Sequence, residues 1–156
     1  MTTDHQMFTV TRQIAARPET VFRCWIEPPL KKRWFTEMNP PEFKTLEYSI
    51  EPRVGGIEKA VFRHGDMGDI TYEGRFLEIK ATDRIVYAYV MEASDKIISA
   101  SLSTLTLAKN STGTALNYTE QVVFLDNGDS LKTRIPGTET MLDRTVQVCE
   151  ELEAAQ

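Results

Sequence analysis

Tyr72-Glu73-Gly74-Arg75-Phe76-Leu77-Glu78-Ile79, then Ala81-Thr82-Asp83, then Arg84-Ile85-Val86-Tyr87-Ala88-Tyr89 reads as a strand, a tight turn and a returning strand. The two runs extend to Ile70–Ile79 and Arg84–Glu92, and the second is rich in β-branched and aromatic residues. The same alternation of strand and short turn continues on both sides. Upstream, Lys44–Glu51 and Ile57–His64 flank Arg53-Val54-Gly55-Gly56, where paired glycines supply positive φ at little cost. Gly65-Asp66-Met67-Gly68-Asp69 is the next turn. Downstream, Ile97–Ala108 and Thr114–Leu125 flank Lys109–Gly113. The middle of the chain is therefore a meander of about six strands, and short connections imply antiparallel neighbours. Strands such as Ile85–Met91 are apolar on both faces, as expected for a sheet that curls over a core.

The flanks supply helices. Phe8, Val10 and Ile14 alternate with Thr9, Thr11 and Gln13, which predicts a half-buried first strand. Pro18 suits a first helical position. Val21, Phe22, Trp25 and Ile26 then form an apolar stripe that Pro28-Pro29 ends. Leu30–Phe35 predicts a second short helix. Its Lys31-Lys32-Arg33 run reads as a wet face beside the Trp34-Phe35 anchor. At the other end, Thr138 is a fair N-cap with Glu139 in the first turn. Met141, Thr145, Val148, Cys149 and Leu152 share one face of the long helix that follows.

Composition narrows the function. At 156 residues, 41% hydrophobic and 26% charged, the chain suits one globular domain, residues 1–156, with no linker or repeat. A net charge of −5 argues against nucleic acid, which needs clustered Lys and Arg. No run approaches the ~20 apolar residues of a membrane span. The N-terminus lacks a basic region followed by an apolar one, so the expected location is cytoplasmic. The two cysteines, Cys24 and Cys149, have no zinc spacing and read as small core hydrophobes. No metal or other cofactor is expected.

Several strings, in this order, resemble a known family. They are Ala16-Arg17-Pro18-Glu19-Thr20-Val21-Phe22, Leu30–Phe35, Arg53-Val54-Gly55-Gly56, Tyr72–Ile79 with Asp83–Tyr89, and Tyr118-Thr119-Glu120-Gln121 with Phe124-Leu125-Asp126. Together they look like the SRPBCC (START/Bet v 1-like) superfamily. Within it they are similar to the bacterial proteins grouped with the activator of the heat-shock-protein-90 ATPase. The resemblance implies an α+β helix-grip fold: a curved antiparallel sheet of about seven strands around a long C-terminal helix, with two short helices after strand one. It also implies a cavity between sheet and helix. The resemblance departs at Ser130–Thr140, where Arg134-Ile135-Pro136-Gly137-Thr138 lacks a histidine common in the subgroup.

Chemistry-bearing motifs are sparse. There is no nucleophile elbow, HExxH, P-loop or dinucleotide fingerprint. His5 falls in a terminus expected to fray, and His64 beside a turn is expected to be exposed. Glu120 shares a strand face with Leu116, Tyr118, Val122 and Phe124. If that face lines the cavity, Glu120 is a buried acid, the one weak candidate for catalysis, with a pKa that burial would raise. Arg12 has the parity of Val10 and Ile14, which makes Glu120 a candidate partner. Tyr72, Phe76, Tyr87, Tyr89 and Tyr118 pack in the core or, as a set, line a pocket with hydroxyl handles. With Glu120, Met141 and Thr145 they form the expected ligand-binding set. Trp25 and Trp34 are expected to anchor the short helices onto the sheet edge. The leading expectation is a small apolar or amphipathic ligand. A chaperone-cofactor role and a cyclase- or hydrolase-like enzyme using a cavity carboxylate are the alternatives, with enzyme function disfavoured by the lack of a triad. A sheet edge or helix face would be free to pair in a homodimer.

Overall fold

The computed structural model describes residues 1–65 and 68–156. In chain order it runs β1 (Thr3–Ile14), α1 (Pro18–Ile26), α2 (Pro28–Lys32), a π-helical turn (Arg33–Glu37), β2 (Phe43–Ile50), β3 (Ile57–His64), β4 (Asp69–Lys80), β5 (Arg84–Ala93), β6 (Lys96–Asn110), β7 (Gly113–Leu125) and α3 (Leu131–Ala154). The expected turn at Gly65–Asp69 includes Asp66 and Met67, which lie outside the described residues.

All seven strands form one antiparallel sheet in the order β1-β7-β6-β5-β4-β3-β2. The meander expected from the turns accounts for six of these strands, and β1 adds to the free edge of β7. β1 and β2 therefore occupy opposite edges, and α1, α2 and the π-helical turn carry the chain between them. Register shifts at Thr45/Glu47, Phe76/Glu78 and Met91/Glu92 mark bulges, which sharpen twist and help the sheet to bend. α3 lies against β1, α1 and the π-helical turn. This is the helix-grip architecture: an antiparallel sheet gripping a long C-terminal helix.

Three local expectations need correction. The first strand does not fray before Phe8. Thr3–Met7 continues the ladder, with Thr3 opposite Leu125 and His5 opposite Val123, because the long β7 offers its backbone groups all the way. Pro28-Pro29 does more than end α1; it also begins α2, where a missing N–H costs nothing. The largest difference is α3, which starts at Leu131 rather than near Thr138. Pro136 sits inside it and forfeits a hydrogen bond to Lys132. Pro136 and Gly137 are both exposed, so water can reach the backbone there. Thr138 is not the N-cap but a buried residue on the sheet-facing side. Leu142, which was not assigned to that face, is fully buried on it, and Met141 is only half-buried.

Cys24 and Cys149 are both free and buried. A hydrogen bond to Cys24 and then burial push the Cys149 thiol up, which makes it unreactive. Among the described residues no helix is long and apolar enough to cross a membrane.

Candidate functional site

The concave face is set by register. Tyr89 lies opposite Ser101 and Tyr87 opposite Ser103, while Ser103 lies opposite Glu120 and Leu105 opposite Tyr118. Small serines on β6 thus separate large tyrosines on β5 from the Tyr118/Glu120 pair on β7. That gap lets hydroxyls converge on one carboxylate. Glu120 Oε2 accepts from Tyr89 Oη (2.8 Å), Ser101 Oγ (2.9 Å) and Arg134 Nη1 (2.8 Å). Glu120 Oε1 accepts from Tyr118 Oη (2.7 Å), and Tyr118 Oη is also 2.9 Å from Ser103 Oγ. Arg134, from the second turn of α3, spends its other nitrogen on Ser99 Oγ (2.7 Å) and Asp129 Oδ2 (3.1 Å). Its guanidinium also lies 5.7 Å from the Tyr89 ring and 5.3 Å from the Phe124 ring. Glu120 is 0% exposed and Arg134 7%.

A second buried ion pair lies on the same face toward β3. Lys31 Nζ donates to Glu58 Oε1 at 3.1 Å, and Tyr48 Oη donates to Glu58 Oε2 at 2.6 Å. The ammonium sits 4.7, 4.9, 5.1 and 6.0 Å from the ring centroids of Trp25, Trp34, Phe35 and Tyr87. Burial pushes the Lys31 amine below its ordinary value, while Glu58 acts in the opposite sense. Aromatic contacts join the two centres. Tyr72 and Tyr89 rings are 4.8 Å apart, Tyr87 and Tyr89 6.1 Å, and Tyr87 Oη reaches Tyr118 Oη at 3.4 Å.

Of the expected ligand set, Tyr72, Phe76, Tyr87, Tyr89, Tyr118 and Glu120 all lie buried on this face, and Thr145 is buried on α3. Met141 is at its margin, half-buried on α3. Gly74 lies between Tyr72 and Phe76, and a Cβ there would come within 2.9 Å of Tyr72 Oη. Glu120 is not an isolated acid facing apolar space; every partner within reach already binds it. Nor does Arg12 reach it. Arg12 is half-buried at the sheet edge and pairs with Asp143 (2.8 Å) and Glu139 (3.9 Å) on α3. Lys31 is not on a wet face but 2% exposed. It shares a helix side with Trp34 and Phe35, at three and four residues' spacing, and that spacing was the available signal. Trp25 and Trp34 are fully buried, and Trp25 reaches Tyr87 on the central β5 rather than an edge. His64 is half-buried with its ring 5.5 Å from Phe43, rather than exposed.

Arg134 and Glu58 were missed. Glu58 has the parity of Ala60 and Phe62, so its inward direction was legible. Arg134 is one turn before Thr138 and two before Leu142, a signal hidden by Pro136.

All five tyrosines are shifted upward. Burial comes first in each case; Glu58 adds for Tyr48 and Tyr72, and Glu120 adds for Tyr89. The native state therefore keeps its phenol protons past ~10, where unfolded tyrosines lose theirs. This contribution to stability is complete below ~10 and declines as pH climbs toward the raised native values. In an ultraviolet titration, phenolate absorbance should appear only together with unfolding. Phenolate forming with a midpoint near ~10 in the intact fold would contradict the buried placement.

Two open grooves are less enclosed. One, of about 430 Å³, runs between the π-helical turn and β2 and includes Thr36, Asn39, Phe43 and Tyr48. Another, of about 590 Å³, lies on the outer face across β1, β7 and β6. Among the described residues, two buried donors, Trp25 Nε1 and Asn39 Nδ2, have no hydrogen-bond partner. Among the described residues no group of His, Cys, Asp or Glu is arranged to hold a metal ion.

The chain is 33% identical to a putative uncharacterized protein from Rhizobium leguminosarum, covering 96% of this chain and 97% of that one, with a TM-score of 0.90. It is 32% identical to the Mll3558 protein from Rhizobium loti, covering 95% and 99%, with a TM-score of 0.86. An AHSA1-like protein from Aeromonas hydrophila shares the fold at 18% identity, 94% coverage of each chain and a TM-score of 0.69. No curated protein matches. Residues 15–150 match the family described as activator of Hsp90 ATPase homolog 1-like protein, and with the helix-grip fold around them, the chain belongs to that family.

Proposed function

We propose that this domain is a cytoplasmic binding protein for a small apolar or amphipathic molecule, taken in between the sheet and α3. The observation that carries this reading is the buried Glu120–Arg134 centre with its ring of hydroxyls. Ion pairs of this kind seldom stabilise a core, because desolvation costs as much as the attraction returns. A fold that only needed packing would do as well with apolar residues there. Hydroxyls and a guanidinium at the floor of an aromatic face instead suit recognition of a ligand's polar end. Arg134 sits near the start of α3, two residues before exposed Pro136 and Gly137.

The test is a thermal-shift and native mass-spectrometry screen of fatty acids, aromatic carboxylates and polyketide-like compounds. A ligand at 100 times its Kd should add about 2.7 kcal/mol of stability. Conversion of Ser101 to Ala should weaken that ligand without unfolding the domain. No shift from any class, together with a crystal structure in which side chains fill the space between the sheet and α3, would overturn the proposal.

A further inference from the structure

The Glu120–Arg134 centre leaves the second buried pair unexplained. Lys31 comes from the end of α2, immediately before the π-helical turn, a helix form found disproportionately at functional sites. Its ammonium is 2% exposed and has one carboxylate partner, Glu58 at 3.1 Å. Four aromatic rings surround it. The ring of Trp25, whose centroid lies 4.7 Å away, carries a buried N–H without an acceptor among the described residues. Tyr48 binds the far oxygen of Glu58 and also forms part of the 430 Å³ groove. Tyr48 thus links the buried carboxylate to the lining of the groove.

We propose that Lys31 captures small aldehydes or ketones as a reversible Schiff base, with Glu58 as its proton-transfer partner. This rests on the reading that the aromatic interior admits a small apolar or amphipathic molecule, and it names the reactive class among such molecules. The step balances without oxidant or reductant. Lys31 Nζ gives a proton to Glu58, and the neutral amine attacks the carbonyl carbon. A C–N bond forms while the C=O π pair moves to oxygen, which takes the proton back from Glu58. A second proton passes from nitrogen through Glu58 to the hydroxyl, which leaves as water as C=N forms. Ammonium plus carbonyl becomes protonated imine plus water.

The surroundings favour both ends of that sequence. Burial lowers the amine's affinity for its proton, so more of it is neutral than at an exposed lysine. The product is again a cation, and the rings and Glu58 that hold the ammonium hold the iminium by the same electrostatics. The unpartnered Trp25 N–H is a donor available to the carbonyl oxygen or to the water released. Phe35 and Tyr87 supply apolar contact for an aryl or alkyl substituent.

The test uses the intact wild-type protein at neutral pH with benzaldehyde or cyclohexanone and cyanoborohydride, which reduces an imine to a stable secondary amine. Tandem mass spectrometry then maps the label. Lys32, adjacent in sequence and exposed, is the internal control. The expected result is labelling of Lys31 over Lys32 by about tenfold or more, because burial leaves more of the Lys31 amine neutral. Urea unfolding should abolish the preference, and Glu58→Gln should slow Lys31 labelling without changing the exposed lysines. Label spread over exposed lysines with Lys31 unmodified overturns the proposal. A thermal shift with the same carbonyl compound and no label on Lys31 overturns Schiff-base chemistry while leaving the binding reading standing. Neither shift nor label overturns the Schiff-base proposal, and the binding reading is then decided by the wider ligand screen.

Discussion

Arg134→Met should destabilise the domain by about 3–5 kcal/mol, because it strands the Glu120 carboxylate in the core without its counter-charge. Glu120 is 0% exposed and sits 2.8 Å from Arg134 Nη1. The methionine fills most of the volume, so the loss reports charge more than cavity. For a chain of this size the melting temperature should fall by roughly 6–20 °C. Pairing the substitution with Glu120→Gln gives a double-mutant cycle, in which the two changes together should cost less than their sum by about 0.5–3 kcal/mol. Urea unfolding of the four proteins measures this. If Arg134→Met stays within about 0.5 kcal/mol of wild type, as surface changes do, then the ion pair is not formed in solution.

Trp34→Ala should cost a comparable amount, about 3–5 kcal/mol, through a different mechanism. Trp34 is fully buried, 4.7 Å from the Trp25 ring and 5.8 Å from Phe35. Its indole N–H also donates to the Cys24 carbonyl at 2.8 Å. That carbonyl would ordinarily accept from the residue four positions on, but Pro28 stands there and has no N–H. The indole supplies the missing donor and ties the end of α1 to the π-helical turn. Trp34→Phe separates the two contributions: it keeps much of the ring and loses only the hydrogen bond, worth about 1–3 kcal/mol for a buried acceptor left bare. Equal destabilisation by Ala and Phe would show that packing around the ring contributes little.

Arg134 meets its partners from other elements of the fold, and this separates what was readable from what was not. The turns at Ala81–Asp83 and Gly55-Gly56 were legible because each is a few residues with a local steric reason. The inward face of β7 was legible from period two alone, so Glu120 was placed correctly among Tyr118, Val122 and Phe124. Its partner was not. Parity shows that Arg12 and Glu120 face the same side, yet β1 pairs with β7 so that Phe8, not Arg12, lies opposite Glu120. Arg12 meets α3 at the edge instead. Arg134 was hidden by a proline rule that holds for helix interiors on average and fails where the lost bond faces water.

The order of the elements, the antiparallel meander and the inward side of β7 were legible from period, turn chemistry and short connections, whereas the start of α3 was not. The tertiary structure alone decided which charges meet. Lys31 finds Glu58 across 27 residues and Arg134 finds Ser99 across 35, contacts that exist only once the sheet has curved and the helices have docked. A buried charge needs its partner within hydrogen-bond reach, whereas a sequence pattern specifies direction without distance.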